Sequence, residues 1–266
     1  MKKLRIAIVL TCFPMILLAQ ETIHVHFMNR APFLYENEQG KLQGLEYDIL
    51  IEFKNWLQTS QDINIEYAFT PHQDFSTFLN AIKKGKQNVL GAGTVTYNAS
   101  RNTYLNFSGP YLNNYSLLVS KQKFSDINQA YLLSKAATIY VTEASVHFER
   151  MQQHANINPN LNLSAVNSQT SIPDSLIKHA QAFGWMDLAY FWHFAKQHPE
   201  QKLHMYRELM VSEESFQFVT PKISTWHNYL RVFFTDGFGF TSTKKYHQIV
   251  SKYLGEEVLP FIEVQP

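Results

Sequence analysis

A chain of 266 residues with 23 Lys and Arg against 22 Asp and Glu carries a formal charge of only +1, too balanced to supply the basic face that nucleic acid requires. Its single cysteine, Cys12, excludes an internal disulfide, and with 45% apolar residues the chain is long enough to bury a sizeable core without one.

The first five residues, Met1-Lys-Lys-Leu-Arg5, form a basic tip, and the run from Ile6 ends in the small residue Ala19. This is the pattern of a secretory signal peptide over residues 1–20, cleaved near Ala19 or Gln20, and its apolar core is shorter than a bilayer span. Loss of Lys2, Lys3 and Arg5 takes the charge from +1 to −2, and loss of Cys12 removes thiolate chemistry and any Cys-ligated metal. About 245 residues remain, enough for one large or two moderate domains.

Thr22 to Phe27 alternates and predicts a first strand. A polar turn, Glu36 to Gly40, separates Phe33 and Tyr35 from the segment Gly44 to Asp48. Ile49, Leu50, Phe53 and Leu57 then share one helical face. Asn64 to Phe69 reads as a second strand, Asp74 as the cap of a helix carrying Phe75, Phe78, Leu79 and Ile82, and Val89 to Ala92 as a third strand. Asp48 at a helix start suits either capping or ligand contact, and Phe33 and Tyr35 suit either a pocket wall or plain packing.

The third strand delivers Thr94, Thr96 and Asn98, with Arg101 close behind. Asn98 stands where an N-cap would, which puts Arg101 in a first turn, where a cation opposes the helix dipole. Hydroxyls, an amide and a guanidinium at a strand end are the groups that grip a carboxylate or another small anion, although a surface arginine after a turn has the same spacing. Further strands are expected at Tyr115 to Lys121, Ala137 to Val141, Leu163 to Val166, Gly184 to Tyr190 and Glu214 to Thr220. Helices are expected at Ser125 to Leu133, after Ser145, and over Ile172 to Ala182, Thr225 to Phe234 and Thr243 to Leu254. The β-α-β-α-β opening predicts a parallel sheet with binding residues beyond strand carboxyl ends.

The run Gly91 to Tyr111, with Thr96, Arg101, Phe107, Ser108, Pro110 and Tyr111 in register and Asn106 where Asp is usual, resembles the core motif of the type 3 extracellular solute-binding proteins. Its Val-Thr-Tyr-Asn-x-x-Arg segment is similar to the solute-binding-like domain of F-type membrane-bound lytic transglycosylases. The resemblance extends to Gly44 and Asp48, to Gly184-Trp-Met-Asp187 and to the Lys252-Tyr-Leu-Gly255 close. It implies an α/β fold of the type II periplasmic binding protein kind: two lobes, each with a central mostly parallel sheet, joined by two crossing strands. Lobe one would span 21–117 and 220–266, and lobe two 118–219. The family's glycine before its Ser/Thr turn is Ala144 here, which implies a more ordinary backbone beside Ser145. The acidic position five residues after Asp187, which pairs with the ammonium group of an amino acid in many members, is Trp192.

The resulting expectation is a monomeric periplasmic binding protein, not an enzyme, that closes its lobes on a small carboxylate-bearing ligand, an amino acid or a relative, and serves an inner-membrane ABC permease. Arg101, Thr96, Thr94 and Asn98 would hold the anion, Ser145 would close on it, and Tyr35, Phe33, Tyr111, Trp192 and Asp187 would complete the pocket. A receptor for cell-wall fragments without transport and a dehydratase-like enzyme on the same scaffold are the alternatives. The transglycosylases carry their catalytic glutamate in a further domain, for which no room is left before Pro266. No cofactor and no metal is expected: the eleven histidines show no His-Glu-x-x-His and no recognised ligand spacing, and Glu213-Glu214 reads as a solvated edge. No Gly-x-Ser-x-Gly elbow occurs either.

Overall fold

The computed structural model describes residues 21–124, 138–157, 159–235, 239–262 and 264, with the backbone alone at 157 and 207–213. The signal peptide expected over 1–20 and the helix expected from Ser125 lie outside these residues, the latter but for its approach. Among the described residues no helix is long and apolar enough to cross a membrane.

The first half of the chain runs β1 (Glu21–Met28), β2 (Tyr35–Glu36), β3 (Leu42–Gln43), α1 (Leu45–Ser60), β4 (Ile65–His72), α2 (Phe75–Lys83) and β5 (Val89–Thr96). Next come β6 (Leu105–Phe107), β7 (Leu112–Ser120), β8 (Thr138–Thr142), α3 (Val146–Ile157), β9 (Asn162–Val166), α4 (Ile172–Lys178) and β10 (Phe183–Asp187). The chain closes with α5 (Leu188–Gln197), β11 (His204–Pro221), α6 (Trp226–Thr235), α7 (Lys244–Leu254) and α8 (Leu259–Ile262).

Helix α2 starts where Asp74 accepts the Thr77 N–H at 2.6 Å, and its apolar face buries Phe75, Phe78, Leu79 and Ile82. α1 has no side-chain cap. Its first N–H groups are taken instead by Pro32 and Phe33 carbonyls, at 2.9 and 2.8 Å. That approach requires Gly44, at φ 128, because a Cβ there would sit 2.1 Å from the Phe33 oxygen. α7 packs back on α1, and Asp48 accepts from Lys252 Nζ at 2.8 Å and Tyr253 Oη at 3.0 Å. Asp48 therefore ties the C-terminal helix to α1.

One sheet runs in the order β4-β1-β5-β11-β7-β10-β8-β9, with β6 also on β11. β1 pairs parallel with β4 and β5, and β8 pairs parallel with β9 and β10. Between these parallel sets lie β7 and β11, antiparallel to each other and to their outer neighbours β10 and β5. The 18-residue β11 thus runs beside both sets, with register shifts on either side of Val211.

Several elements differ from the sequence reading in their bounds, and β11 begins at His204 rather than Glu214. The strand through Gly184 stops at Asp187, and α5 begins at once, burying Leu188, Ala189, Tyr190 and Phe191. No Gly or Pro marks that switch, and a continuous apolar run cannot be divided between strand and helix by periodicity alone. Helix α4 ends at Lys178 rather than Ala182, because His179 leaves helical geometry at φ −126, ψ 74.

Candidate functional site

The carboxyl ends of the parallel strands converge on one cavity of about 30 Å³, lined by Arg30, Thr94, Thr96, Arg101, Ser145 and Asp187 among others. Arg30 follows β1, Thr94 and Thr96 end β5, Ser145 and His147 follow β8, Gln169 follows β9 and Asp187 ends β10. This is where an open α/β sheet leaves a crevice.

Arg101 opens a short 3₁₀ turn and is 2% exposed. Its N–H is capped by Asn98 Oδ1 at 2.6 Å, so Asn98 positions the turn and does not itself line the cavity. The guanidinium donates to the Thr96 carbonyl at 3.0 Å and, across the cleft, to the Ala144 carbonyl at 2.8 Å. It also lies 5.7 Å from the centroid of the Phe75 ring. Burial lowers its pKa from the ordinary arginine value, opposed by the charges of Glu149, Tyr104 and Glu214. Its Nε has no partner, and the same holds for Nε of buried Arg30, the second cation on the cavity wall. A second link across the cleft joins the Phe75 N–H to the Asn167 carbonyl at 3.1 Å.

Asp187 faces these cations from the other parallel set. Asn114 donates to its Oδ1 at 2.8 Å and Gln169 to its Oδ2 at 2.5 Å, while its own N–H donates to Gln169 at 3.2 Å. Burial alone would raise its pKa, but the hydrogen bond and charge of His147, with Arg30 and Gln169, hold it below the ordinary carboxylate value. It remains ionised at neutral pH. Glu46, by contrast, is pushed up by complete burial despite hydrogen bonds from Tyr111 and the Thr94 N–H.

The other residues singled out in the sequence are distributed differently. Thr94, Thr96 and Ser145 line the cavity, and Ser145 Oγ also accepts the Phe148 N–H at 3.1 Å at the start of α3. Phe33 and Tyr111 are fully buried core: Phe33 packs edge-on to Phe216, and Tyr111 holds Glu46 with its hydroxyl. Tyr35 sits half-buried on β2, outside the cavity. Trp192 is carried onto α5, where it packs on the core beneath Lys196. Asp187, at the end of β10, is the acid that lines the cavity.

Ala144 departs from the expected ordinary backbone. It adopts φ 57, the left-handed conformation a glycine would take, and so keeps its carbonyl aimed at Arg101. Thr94 is similarly left-handed at φ 49, with its N–H on Glu46.

Sequence reasoning missed Arg30, His147 and Glu214. Glu214 is no solvated edge: it is 6% exposed, accepts from Arg150 at 2.6 Å and lies 3.4 Å from Thr96 Oγ1. His147 Nε2 lies 3.1 Å from Ser116 Oγ and 3.6 Å from both Asp187 and Glu214. Serine and both carboxylates therefore address the same ring nitrogen while Nδ1 has no partner, which is not the relay of a Ser-His-Asp hydrolase. No short spacing announces these residues, which come from a loop, α3 and β11.

Solved structures with this fold include an arginine-, lysine- and histidine-binding protein from Geobacillus stearothermophilus. It is 19% identical over 90% of this chain and 99% of that one, with a TM-score of 0.70. A structure from a study of glutathione import by Streptococcus mutans, through GshT and the cystine importer TcyBC, superposes at 0.71, with 15% identity over 89% and 95%. An ancestral amino acid-binding protein, a precursor of cyclohexadienyl dehydratase, gives 0.65, with 15% identity over 88% and 96%. No curated protein matches the sequence. At these identities the likeness is one of fold, that of the type II periplasmic binding proteins. The model of the bacterial extracellular solute-binding proteins, family 3, matches residues 23–256, and the chain belongs to that family.

Proposed function

We propose that this protein captures a small zwitterion with a carboxylate, an amino acid or a close relative, and presents it to an ABC permease outside the cytoplasmic membrane. The observation that carries this reading is a cavity lined by a buried guanidinium from one parallel set, Arg101, and a buried, ionised carboxylate from the other, Asp187. A ligand carboxylate supplies the acceptors that the two unpartnered Nε groups lack, and a ligand ammonium complements Asp187. Thr94, Thr96 and Ser145 add hydroxyls around the anion. Residues 21–117 with 220–266, and residues 118–219, act as the two lobes, hinged on β7 and β11. The contacts from Arg101 to Ala144 and from Phe75 to Asn167 supply part of the closed state's stability. A segment cleaved near Ala19 delivers the protein to the periplasm, and it works as a monomer.

Native mass spectrometry of the freshly purified protein, followed by calorimetric titration with an amino-acid panel, tests the assignment. Arg101→Ala removes a buried charge-assisted contact, and a loss of about 2–5 kcal/mol in binding is expected. Unchanged binding by that variant would place the anion elsewhere. Asp187→Asn should discriminate, losing ligands with an ammonium group more than those without one.

A further inference from the structure

Three side chains beside the cavity have no role in gripping a carboxylate: His147 from α3, Glu214 from β11, and Asp187 through its second face. All three are buried, and one ligand atom from each lies within 4.8 Å of the others. His147 Nε2 lies 3.6 Å from both Asp187 Oδ1 and Glu214 Oε2. Bonds of about 2.0–2.2 Å at tetrahedral angles separate the ligand atoms of zinc by about 3.4 Å, so the two histidine–carboxylate distances need only small adjustment, while a carboxylate pair at the 4.8 Å limit has to close by about 1.4 Å. From these distances we infer that His147, Asp187 and Glu214 form a binding site for a divalent transition-metal cation, with zinc the best fit to one imidazole and two carboxylates.

Each of the three side chains is held in place by a neighbour. Arg150 bonds Glu214 through Oε1, leaving Oε2 turned toward His147. Asn114 and Gln169 hold the Asp187 carboxylate in place, the kind of outer partner that orients a metal ligand. Ser116 Oγ, 3.1 Å from Nε2, is the contact the cation would replace. Three protein ligands leave the fourth zinc position open, and the adjoining cavity of about 30 Å³ has room for a water or one donor atom from a ligand there. The site shares Asp187 with the amino-acid reading but needs neither Arg101 nor Arg30.

The test is zinc titration of the chelator-dialysed full chain by calorimetry, with no amino acid present, and with metal content read by mass spectrometry. His26 and His72 form a separate imidazole pair, Nδ1 to Nε2 at 2.9 Å, so His72→Gln serves as the background in which the titration is run. One equivalent of zinc is expected to bind in that background. Affinity should fall by about 100-fold or more when His147→Gln or Glu214→Gln is added. Should those variants fail to fold, Co²⁺ added to the His72→Gln chain gives a second readout. The intense visible bands of a tetrahedral N/O site support the proposal, and the pale spectrum of octahedral cobalt overturns it. Absence of zinc binding, or binding that survives His147→Gln, also overturns it. Absence of zinc binding leaves the amino-acid reading untouched, because the titration contains no amino acid and Arg101 takes no part in it.

Discussion

At the scale of single residues, the clearest pH-sensitive feature outside the cavity is the pair His26 and His72. Burial lowers both pKa values; His26 is lowered further by the charges of His72 and His24, while Asp74 partly opposes the effect at His72. Both groups therefore take up protons more readily in the unfolded chain. Their neutral forms favour folding above the unfolded histidine pKa of about 6.5, and that contribution is lost as the pH falls below it. Half-buried His193 acts in the same direction. Urea unfolding midpoints should drop between pH 8 and pH 5.5, and His72→Gln should make that drop shallower. Parallel curves for the two proteins would remove the pair from the explanation. Residue identity alone did not reveal this pair: 46 positions separate its members, and only the parallel register of β1 on β4 brings them together. Arg101 was legible because its hydroxyl and amide neighbours lie within a few positions of it. His147 and Glu214 were not, because separate elements deliver them to one point, and Asp187 was reached only through the family resemblance.

At the scale of elements, the chain was readable wherever local chemistry sets a boundary. Asp74 and Thr243 both cap helices that begin at the next residue, and Gly255, at φ 86, marks the end of α7. The boundary at Asp187 has no such marker, and it shifted the reading of the whole acid position. Gly44 offers a sharp test of an element's start. Gly44→Ala must push the Phe33 carbonyl out of its contact with α1, and a loss of about 3 kcal/mol is expected in denaturant unfolding. Gly40, at φ 73 with open space around it, provides the control: alanine there should cost only about 1 kcal/mol, the strain of a left-handed residue. Equal losses at the two glycines would show that backbone conformation, rather than the close approach, determines the requirement at position 44.

At the scale of the whole molecule, the fold places opposite charges on opposite walls of one crevice and joins those walls through β7 and β11. The first parallel set could be anticipated from the order of strands and helices, and the second from the family resemblance. The full length of β11 could not, because its residues before Glu214 lack a simple alternation. That length has a thermal consequence. A strand registered with Thr96 near its later end and with Ser120 near its start cannot fray in one half without loosening the edge on which the other half is built. Scanning calorimetry should therefore give a single endotherm whose van't Hoff and calorimetric enthalpies agree, and two resolved peaks would contradict it. Heat would take the protein apart in one step, as a bound book comes apart when its stitching goes, with neither cover surviving alone.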